Sequence, residues 1–462
     1  MKKNRNIEHF IRRIDDIFFH DSDRKLIFSV FLIVFSWTLF VGILVQRILL
    51  IYVFPNMNAG HGLLTGTDYL KFHKIAVRLA NKISVEGWEK WILRPEGQMV
   101  SGIAAIFYTL ITTEPWTLLP WNAFLHALSA VILFCIFNLL FKNKKYSLIA
   151  VLPFAFFPSS FGWTIMLHNE NYIVPGVMLV VYSLTLFFYG SKIKISRFVF
   201  ILLMNSVGLA IIYQSRTSAA QAMAGVNLLF LVLFTGKKVI ETCFNKRKSQ
   251  IKLGVRIVLI ILLIIIQIEA LLGLSGIKLN QPTSYHVKSD QRASIEITWT
   301  RSVWIPNIID QKLEQMVRMR KTQLSLFSKG ATNIDEEVNF NKAIDVISYI
   351  PRSLQIGFLA PFPSHWISSG PKVTSRFQRL ESAFEMVISY IALFGLPAAL
   401  YSNRKSFSFW YLMCMLIGMV IVYTISMPNI GTLYRFRYPF YTPLIGIGLT
   451  TWIKRFNKNR MR

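Results

Sequence analysis

The chain has few acidic residues and few cysteines for its length. Its 462 residues include 23 Asp and Glu against 51 Lys and Arg, which gives a formal charge of +28, and three Cys. Charged residues make up 16% of the chain, hydrophobic residues make up 53%, and the mean hydropathy is +0.45. This composition excludes an ordinary soluble domain and a disordered chain. The sequence also shows no internal repeat, no low-complexity segment and no nucleic-acid-binding motif, so we expect no nucleic-acid partner.

The positions of the cysteines exclude a disulfide framework. Cys135 and Cys414 fall in apolar runs and Cys243 falls in a basic segment. We therefore expect no structural disulfide outside the membrane. The first apolar run begins near Leu26, which is too late and too long for a cleavable signal peptide, so it indicates a signal anchor.

Long apolar runs, in contrast, are abundant. A membrane-spanning helix needs about 20 apolar residues. Ten runs are long enough to be spans, and we place them at 27–53, 118–140, 146–166, 171–190, 197–213, 217–235, 255–275, 383–401, 408–427 and 437–453.

The basic residues explain the orientation of these spans. They cluster at both termini and in segments 142–145, 192–197, 237–248 and 404–405. With the N-terminus in the cytoplasm, ten crossings return every cluster to the cytoplasm, as the positive-inside rule requires. We therefore expect an all-α, multi-pass protein of the cell (cytoplasmic or inner) membrane, with both termini cytoplasmic.

Two further helices are expected on the outer surface. Gln98–Thr112 is apolar but has only 15 residues, about 22 Å as a helix, which is less than the ~30 Å hydrocarbon core. Counting it as a span would also place every later basic cluster outside. Asp68–Ile83 has an apolar face and a basic face, which is typical of a helix in the headgroup region. This helix is either a simple interfacial anchor or a grip for an anionic lipid phosphate, and the two roles are compatible.

The segment 276–382 forms a large outer loop in this interpretation. It is too long for a simple connector, and its apolar spacing predicts one amphipathic helix over 309–327 and another over 335–357. The chain then divides into a membrane module at 1–275 that contains a first outer loop at 54–117, the large loop, and C-terminal spans at 383–462.

Ionisable residues are scarce inside the expected spans. Arg47 and Glu269 are the clear cases, and both fall toward the outer ends of their helices. A transporter would be expected to bury such groups near the bilayer midplane. The polar motifs lie in the outer loops instead, which favours an enzyme that works at the outer face.

Two acidic motifs are candidates for the chemistry. Asp68 opens the basic amphipathic helix, where it is either an N-cap or a general base. Glu170 follows His168 and Asn169 in a very short outer turn. Turns are commonly polar, but turn chemistry does not require a carboxylate at the start of a span.

Two arginine motifs complement these acids. Arg216 lies alone in a tight outer turn, where it is either an interfacial anchor or a ligand-binding group. Arg435 and Arg437 lie in the outer segment 428–437, against the positive-inside trend. In an extended segment both side chains would share one face, where two guanidiniums would suit a phosphate or diphosphate.

The layout resembles the GT-C superfamily of integral-membrane glycosyltransferases, which use polyprenyl-phosphate-linked sugars, as protein O-mannosyltransferases and aminoarabinose transferases do. The likeness covers essentially the whole chain. It is carried by Thr67-Asp68 before the first surface helix, the run Arg94–Gln98 before the second, the opening Trp121–Leu128 of the next span, and Phe157-Pro158 followed by Glu170.

The resemblance implies an inverting transfer of a sugar to an acceptor hydroxyl at the outer face. Asp68 would be the catalytic base, Glu170 a second acidic residue of the site, and Arg216, Arg435 and Arg437 the groups that bind the donor phosphate. Further candidates are Arg94, Glu96, His168, Asn169 and His286.

The resemblance also implies the partners: a polyprenyl-phosphate-linked sugar as donor, a glycan, glycolipid or protein as acceptor, and membrane lipid. The family's acidic pair is commonly Asp-Asp or Glu-Asp, whereas Thr67 precedes Asp68 here. Dependence on a divalent cation is therefore left open, and no other cofactor is implied.

Two alternatives stay open at this point. The first is a polymerase or ligase of surface-polysaccharide repeat units, which would use a lipid-diphosphate oligosaccharide as donor. The second, which is less favoured, is a flippase or other transporter of lipid-linked glycans.

Overall fold

A computed structural model of the chain describes residues 24–65, 68–190, 195–244, 250–272, 297–326, 332–366 and 373–460. These residues are mostly helical and form no strand; two isolated bridges join Asn58 to Leu64 and Asn333 to Asn429. The helices are α1 (Arg24–Ile43, continued as a π-helix at Leu44–Val53), α2 (Tyr69–Glu86), α3 (Met99–Leu110), α4 (Leu119–Phe141), α5 (Lys144–Phe156), α6 (Pro158–Thr164), α7 (Glu170–Tyr189), α8 (Ile195–Ser215), α9 (Thr217–Phe244), α10 (Gln250–Leu272), α11 (Asn307–Leu326), α12 (Ala343–Ser348), α13 (Ile350–Leu359), α14 (Val373–Leu393), α15 (Leu396–Ser402), α16 (Phe407–Ser426) and α17 (Ile430–Arg460).

The described residues contain seven helical segments that are long and apolar enough to cross a membrane, and each contains or closely overlaps a predicted span. An eighth predicted span, at 146–166, is a pair of helices bent by 58°. The bend falls at Phe157, whose extended backbone is the conformation favoured before a proline. The remaining two predicted spans, at 255–275 and 437–453, overlap α10 and α17. Neither of these helices is among the seven segments. The seven segments are Arg24–Val53, Pro115–Phe141, Glu170–Tyr189, Ile195–Ser215, Thr217–Lys237, Arg376–Ser402 and Phe407–Ser426.

The basic connections and the long loops lie at opposite ends of the helix bundle. At one end, which we call the basic end, Lys237 lies 5.7 Å from the Phe407 ring and Lys454 lies 6.0 Å from the Tyr146 ring. At the other end, the loop end, the first loop, the turns at 165–169 and 216, and the described part of the large loop meet. The charge pattern predicted this division; which end faces the cytoplasm stays a prediction.

Both expected surface helices are present. Helix α2 buries Phe72, Ile75 and Leu79 and exposes Lys71 and Lys74, as its amphipathic pattern predicted. Helix α3 has only 12 residues, is apolar, and packs against α2. The two helices cover a separate hydrophobic cluster over the loop ends of α1, α4 and α7.

The described part of the large loop is helical and is attached to the bundle. Helix α11 occupies the predicted position, but the second predicted helix begins later than expected, as α12 and α13. The Arg320 guanidinium is buried and donates hydrogen bonds to the carbonyl oxygens of Asp335, Ile334 and Ile425. The loop is therefore anchored at the C-terminal end of α16, next to the start of α17.

Candidate functional site

Three separate parts of the chain meet at the loop end to form a charged cluster. The turn before α7 contributes His168 and Glu170, the turn between α8 and α9 contributes Arg216, and the first turns of α17 contribute Arg435. All four were candidates from the sequence, and the structure brings them together. We call these four residues the arginine–glutamate cluster.

The Glu170 carboxylate is the centre of this cluster. It is 2% exposed. Its Oε1 accepts a hydrogen bond from Arg216 Nη2 at 2.5 Å and lies 3.6 Å from Arg435 Nε, while its Oε2 contacts His168 Nδ1. A carboxylate this deeply buried is stable as an anion only when it is paired, and here two guanidiniums provide the pairing.

The contacts of His168 define its protonation state. Arg435 Nη1 lies 2.8 Å from His168 Nε2. Because a guanidinium only donates hydrogen bonds, Nε2 must be the acceptor, and the proton resides on Nδ1, which faces Glu170. Burial lowers the pKa of His168, which agrees with a neutral ring. The cluster therefore contains one negative and two positive charges, and carries a net charge of +1.

Aromatic rings enclose the cluster. The guanidinium carbon of Arg216 lies 3.4 Å from the centroid of the Phe436 ring, and that of Arg435 lies 4.9 Å from the same centroid. The Tyr69 ring meets the His168 ring edge-on at 5.5 Å. These rings restrict access of water to the guanidiniums, which strengthens their interaction with an anion.

Asp68 lies beside this enclosure. It is exposed and precedes α2 in the N-cap position, but its side chain makes no capping hydrogen bond. Its neighbour Tyr69 donates a hydrogen bond to the Gly162 carbonyl at 3.0 Å. Burial raises the pKa of Tyr69 and the charge of Arg435 lowers it, while the charges of Glu170 and Asp68 raise it further. The charges of Asp68, the base candidate, and of the arginine–glutamate cluster therefore both influence the pKa of the Tyr69 hydroxyl.

Two of the remaining candidates, Glu96 and Asn169, have different surroundings. Glu96 pairs with Arg78 at 2.5 Å. Asn169 joins α7 to α3, because its amide donates to Gln98 Oε1 at 3.0 Å and accepts from the Val100 N–H at 3.2 Å. These contacts give Glu96 and Asn169 scaffolding roles.

Arg94 differs because it has no acidic partner among the described residues. Its Nε atom is buried without a hydrogen bond, and burial lowers its pKa. Arg94 is thus a third cation at this end of the bundle. His286 lies outside the described residues.

The prediction that Arg435 and Arg437 share one face of an extended segment is wrong. The segment is the start of helix α17, where Asn429 Oδ1 accepts a hydrogen bond from the Thr432 N–H at 3.1 Å and caps the helix. Arg437 therefore points away from Arg435. It is 1% exposed and donates to the carbonyl oxygens of Gly357 and Ala360 at 2.5 and 2.6 Å.

Two acidic residues of α14 were not among the candidates from the sequence. Glu385 is buried inside the predicted span 383–401; its Oε1 accepts from the Ser159 N–H at 2.6 Å, and its Oε2 accepts from the Tyr434 hydroxyl. Glu381 lies one turn earlier and is partly buried. A signal was present, since a carboxylate in an apolar run is unusual, but Glu381 appeared to belong to the loop.

No three His, Cys, Asp or Glu side chains within the described ranges are placed to share a metal ion. The fold and the site thus define a helical, multi-pass membrane protein with a charged cluster at its loop end. No protein-family model matches the chain, and neither a curated protein nor a solved structure matches it at a significant level.

Proposed function

We propose that the protein is a GT-C-like glycosyltransferase, which moves a sugar from a polyprenyl-phosphate donor to an acceptor hydroxyl at the outer face of the cytoplasmic membrane. One observation carries this proposal: a buried carboxylate holds two guanidiniums in place and leaves a net positive charge, next to an exposed Asp68. Such a protein would serve the synthesis of a cell-envelope glycan or glycolipid.

In the proposed reaction, Asp68 accepts the proton of the acceptor hydroxyl as the oxygen attacks the anomeric carbon. The bond from that carbon to the phosphate oxygen breaks on the opposite face, the phosphate leaves with the electron pair, and the configuration inverts. A general base of this kind contributes about 10²–10⁴-fold to the rate. Because Asp68 makes no capping hydrogen bond, its carboxylate is free to accept the proton.

The arginine–glutamate cluster provides the other half of the reaction. Arg216 and Arg435 neutralise the charge that grows on the leaving phosphate, and fixed cations do this best in a site that excludes water. Glu170 is a positioning residue in this scheme. It is buried and already satisfied by two arginines and His168, so it keeps both guanidiniums oriented.

A transfer assay in detergent tests the proposal. Purified protein is incubated with a polyprenyl-phosphate donor that carries a radiolabelled sugar and with a glycolipid acceptor, and product is separated by thin-layer chromatography. We expect label in the acceptor and free polyprenyl phosphate in equal amounts. Donors with different sugars, chosen after mass spectrometry of the lipid that co-purifies with the protein, extend the test. No transfer from any of them would overturn the proposal.

The polymerase or ligase alternative is favoured by Arg94. A third cation without a described acidic partner, at the same end of the bundle, suits the additional charge of a diphosphate. The same assay separates the two enzymes, because a polymerase or ligase transfers label from a lipid-diphosphate oligosaccharide and not from a lipid-monophosphate sugar.

The transporter alternative is favoured by Glu385 and Arg437, since both are ionisable groups buried among the membrane helices. A pure transporter moves its substrate without covalent change. Label in the acceptor after incubation in detergent, where no closed membrane exists, would therefore contradict it.

A further inference from the structure

The large loop exposes four large apolar side chains where it leads into α11. Val303 is 94% exposed, and Trp304, Ile308 and Ile309 are each at least half exposed. We call these four residues the apolar tip. Single apolar side chains on a surface need no explanation, but a group of them within seven consecutive residues marks an interaction surface.

The backbone on both sides of the apolar tip is held in place by a buried carboxylate. Asp310 Oδ2 accepts a hydrogen bond from Trp299 Nε1 at 3.0 Å, and its Oδ1 accepts from the Ser302 N–H at 3.1 Å. The Ser302 hydroxyl accepts in turn from the Ala343 N–H at 3.2 Å. Asp310 thus joins the two ends of the segment 302–310, and the polar base is fixed while the apolar side chains between its ends stay exposed.

The C-terminal half of α11 contacts the outermost level of the bundle. Arg216, before α9, and Tyr423, near the end of α16, both lie against the Phe436 ring, with the guanidinium carbon at 3.4 Å and the Tyr423 ring centroid at 5.5 Å from its centroid. These two residues therefore mark a common level. Arg320 of α11 donates to the Ile425 carbonyl, which is two residues, or about 3 Å, further toward the loop end.

The N-terminal half of α11 contacts the bundle at a deeper level. Lys312 Nζ lies 3.2 Å from Gln221 Oε1, and Gln221 is five residues, or about 8 Å, beyond Arg216 into the apolar segment Thr217–Lys237. Gln221 and Val232 are eleven residues apart, about three helical turns, so they share a face of α9. Val232 is exposed, as a lipid-facing residue of a span would be. Helix α11 thus slopes toward the bilayer, and its start lies on the lipid-facing side of α9.

We propose that the apolar tip inserts into the lipid leaflet at the loop end and attaches the large loop to the membrane surface. The tip precedes Lys312 along the sloping chain, so it lies at the outer edge of the apolar surface of α9. Tryptophan is enriched at this depth of a membrane, and the aliphatic side chains beside Trp304 add buried apolar area. Exposed Arg301 flanks the tip and suits the lipid phosphates. This contact is separate from sugar transfer and goes beyond the proposed function.

Fluorescence quenching tests the insertion. The three native cysteines are replaced by alanine, Val303→Cys or the control Glu336→Cys is labelled with nitrobenzoxadiazole, and the full-length protein is placed as single copies in lipid nanodiscs. Glu336 is exposed in the same loop, beside Asp335, whose carbonyl Arg320 contacts at the outermost level. An interfacial segment lies about 5–10 Å deep, so a nitroxide high on the lipid acyl chain should quench the Val303→Cys label at least about 2-fold more than the control. Iodide in the water should quench the control more.

The contrary outcomes are distinct. A Val303→Cys label that iodide quenches as strongly as the control label, and that the lipid nitroxide does not quench, would overturn the inference. Shielding that is present in native membranes and lost in single-copy nanodiscs would also overturn it, because a protein would then cover the tip. Ile309→Cys is a second label position and must behave in the same way, even where the Val303 variant does not fold. No donor or acceptor enters these measurements, so failure of the transfer assay would leave their result unchanged.

Discussion

Arg435 and Arg437 are two residues apart on α17 and contact different parts of the protein. Arg435 contacts Glu170 and His168 in the arginine–glutamate cluster. Arg437 is buried against the end of α13, where it donates hydrogen bonds to two carbonyl oxygens. A step of two residues on a helix rotates by about 200°, so one arginine faces the candidate site and the other holds the helix.

Substitutions of these two arginines should therefore have different effects. Arg435→Gln should lower kcat/KM for the donor by about 10- to 100-fold, the value of a charge-assisted contact. Arg437→Met should leave the apparent donor affinity unchanged and lower the free energy of unfolding by about 3 kcal/mol, because it leaves two buried carbonyl oxygens without donors. Transfer kinetics and chemical unfolding of both variants check this, and a larger donor defect in Arg437→Met would contradict it.

Glu170 should contribute strongly to stability, because it is the anionic partner of two arginines. Glu170→Gln keeps the shape of the side chain but removes the negative charge, so two guanidiniums lose their counter-ion. Breaking a buried pair typically costs about 3–5 kcal/mol, and we expect a loss of this size in the free energy of unfolding. The control is Glu314→Gln, whose ion pair with Arg318 is partly exposed and worth at most about 1 kcal/mol. Similar losses in both variants would contradict the role of Glu170.

A chain of buried side-chain amides joins the helices away from the candidate site. The Gln267 amide donates to Asn205 at 2.7 Å and accepts from Asn227 at 2.8 Å, and Asn227 accepts from the Tyr411 hydroxyl. Gln267→Leu leaves both asparagines short of a partner. We expect it to lower the free energy of unfolding by about 1–2 kcal/mol, the scale of interhelical hydrogen bonds in membranes. Ile268→Leu, at an exposed neighbouring position, should change it little, and equal effects would contradict this.

The internal structure of the large loop should be less stable in acid. Hydrogen bonds from Arg352 hold the pKa of Asp335 below its ordinary value of 3.8, although burial opposes the shift. A depressed pKa in the folded state stabilises the protein above the unfolded-state pKa, and this contribution disappears as the pH falls through the folded-state value. Protease sensitivity of the loop should therefore rise from about pH 5 downward in wild type and depend less on pH in Asp335→Asn. Identical pH profiles would contradict this.

The sequence predicted the features that depend on local pattern. The amphipathic spacing of residues 68–83 indicated α2, and the spacing after Ile309 indicated α11. The short polar turns at His168 and Arg216 were expected at one end of the bundle because the spans alternate in direction. Because both turns lie at the same end of the bundle, their charged side chains have few other partners. The contact between Glu170 and Arg216 could therefore be predicted from the sequence.

The features that depend on tertiary contacts were not predicted. Arg435 and Arg437 were expected in an extended segment, where both would share one face, but the Asn429 cap and the packing of Tyr438 against Phe154 stabilise a helix. Glu385 was missed because its partners, Ser159 and Tyr434, are distant in sequence. No local pattern specifies such contacts.

Single-turnover transfer by Asp68→Asn tests the central claim most directly. Asn keeps the size of the side chain and cannot take the proton, and no capping hydrogen bond is lost, because Asp68 makes none. We predict a folded, membrane-inserted protein that binds the donor as wild type does and transfers sugar at least ~10²-fold more slowly. A transfer rate near that of wild type would contradict the assignment of Asp68 as the base and, with it, the proposed site.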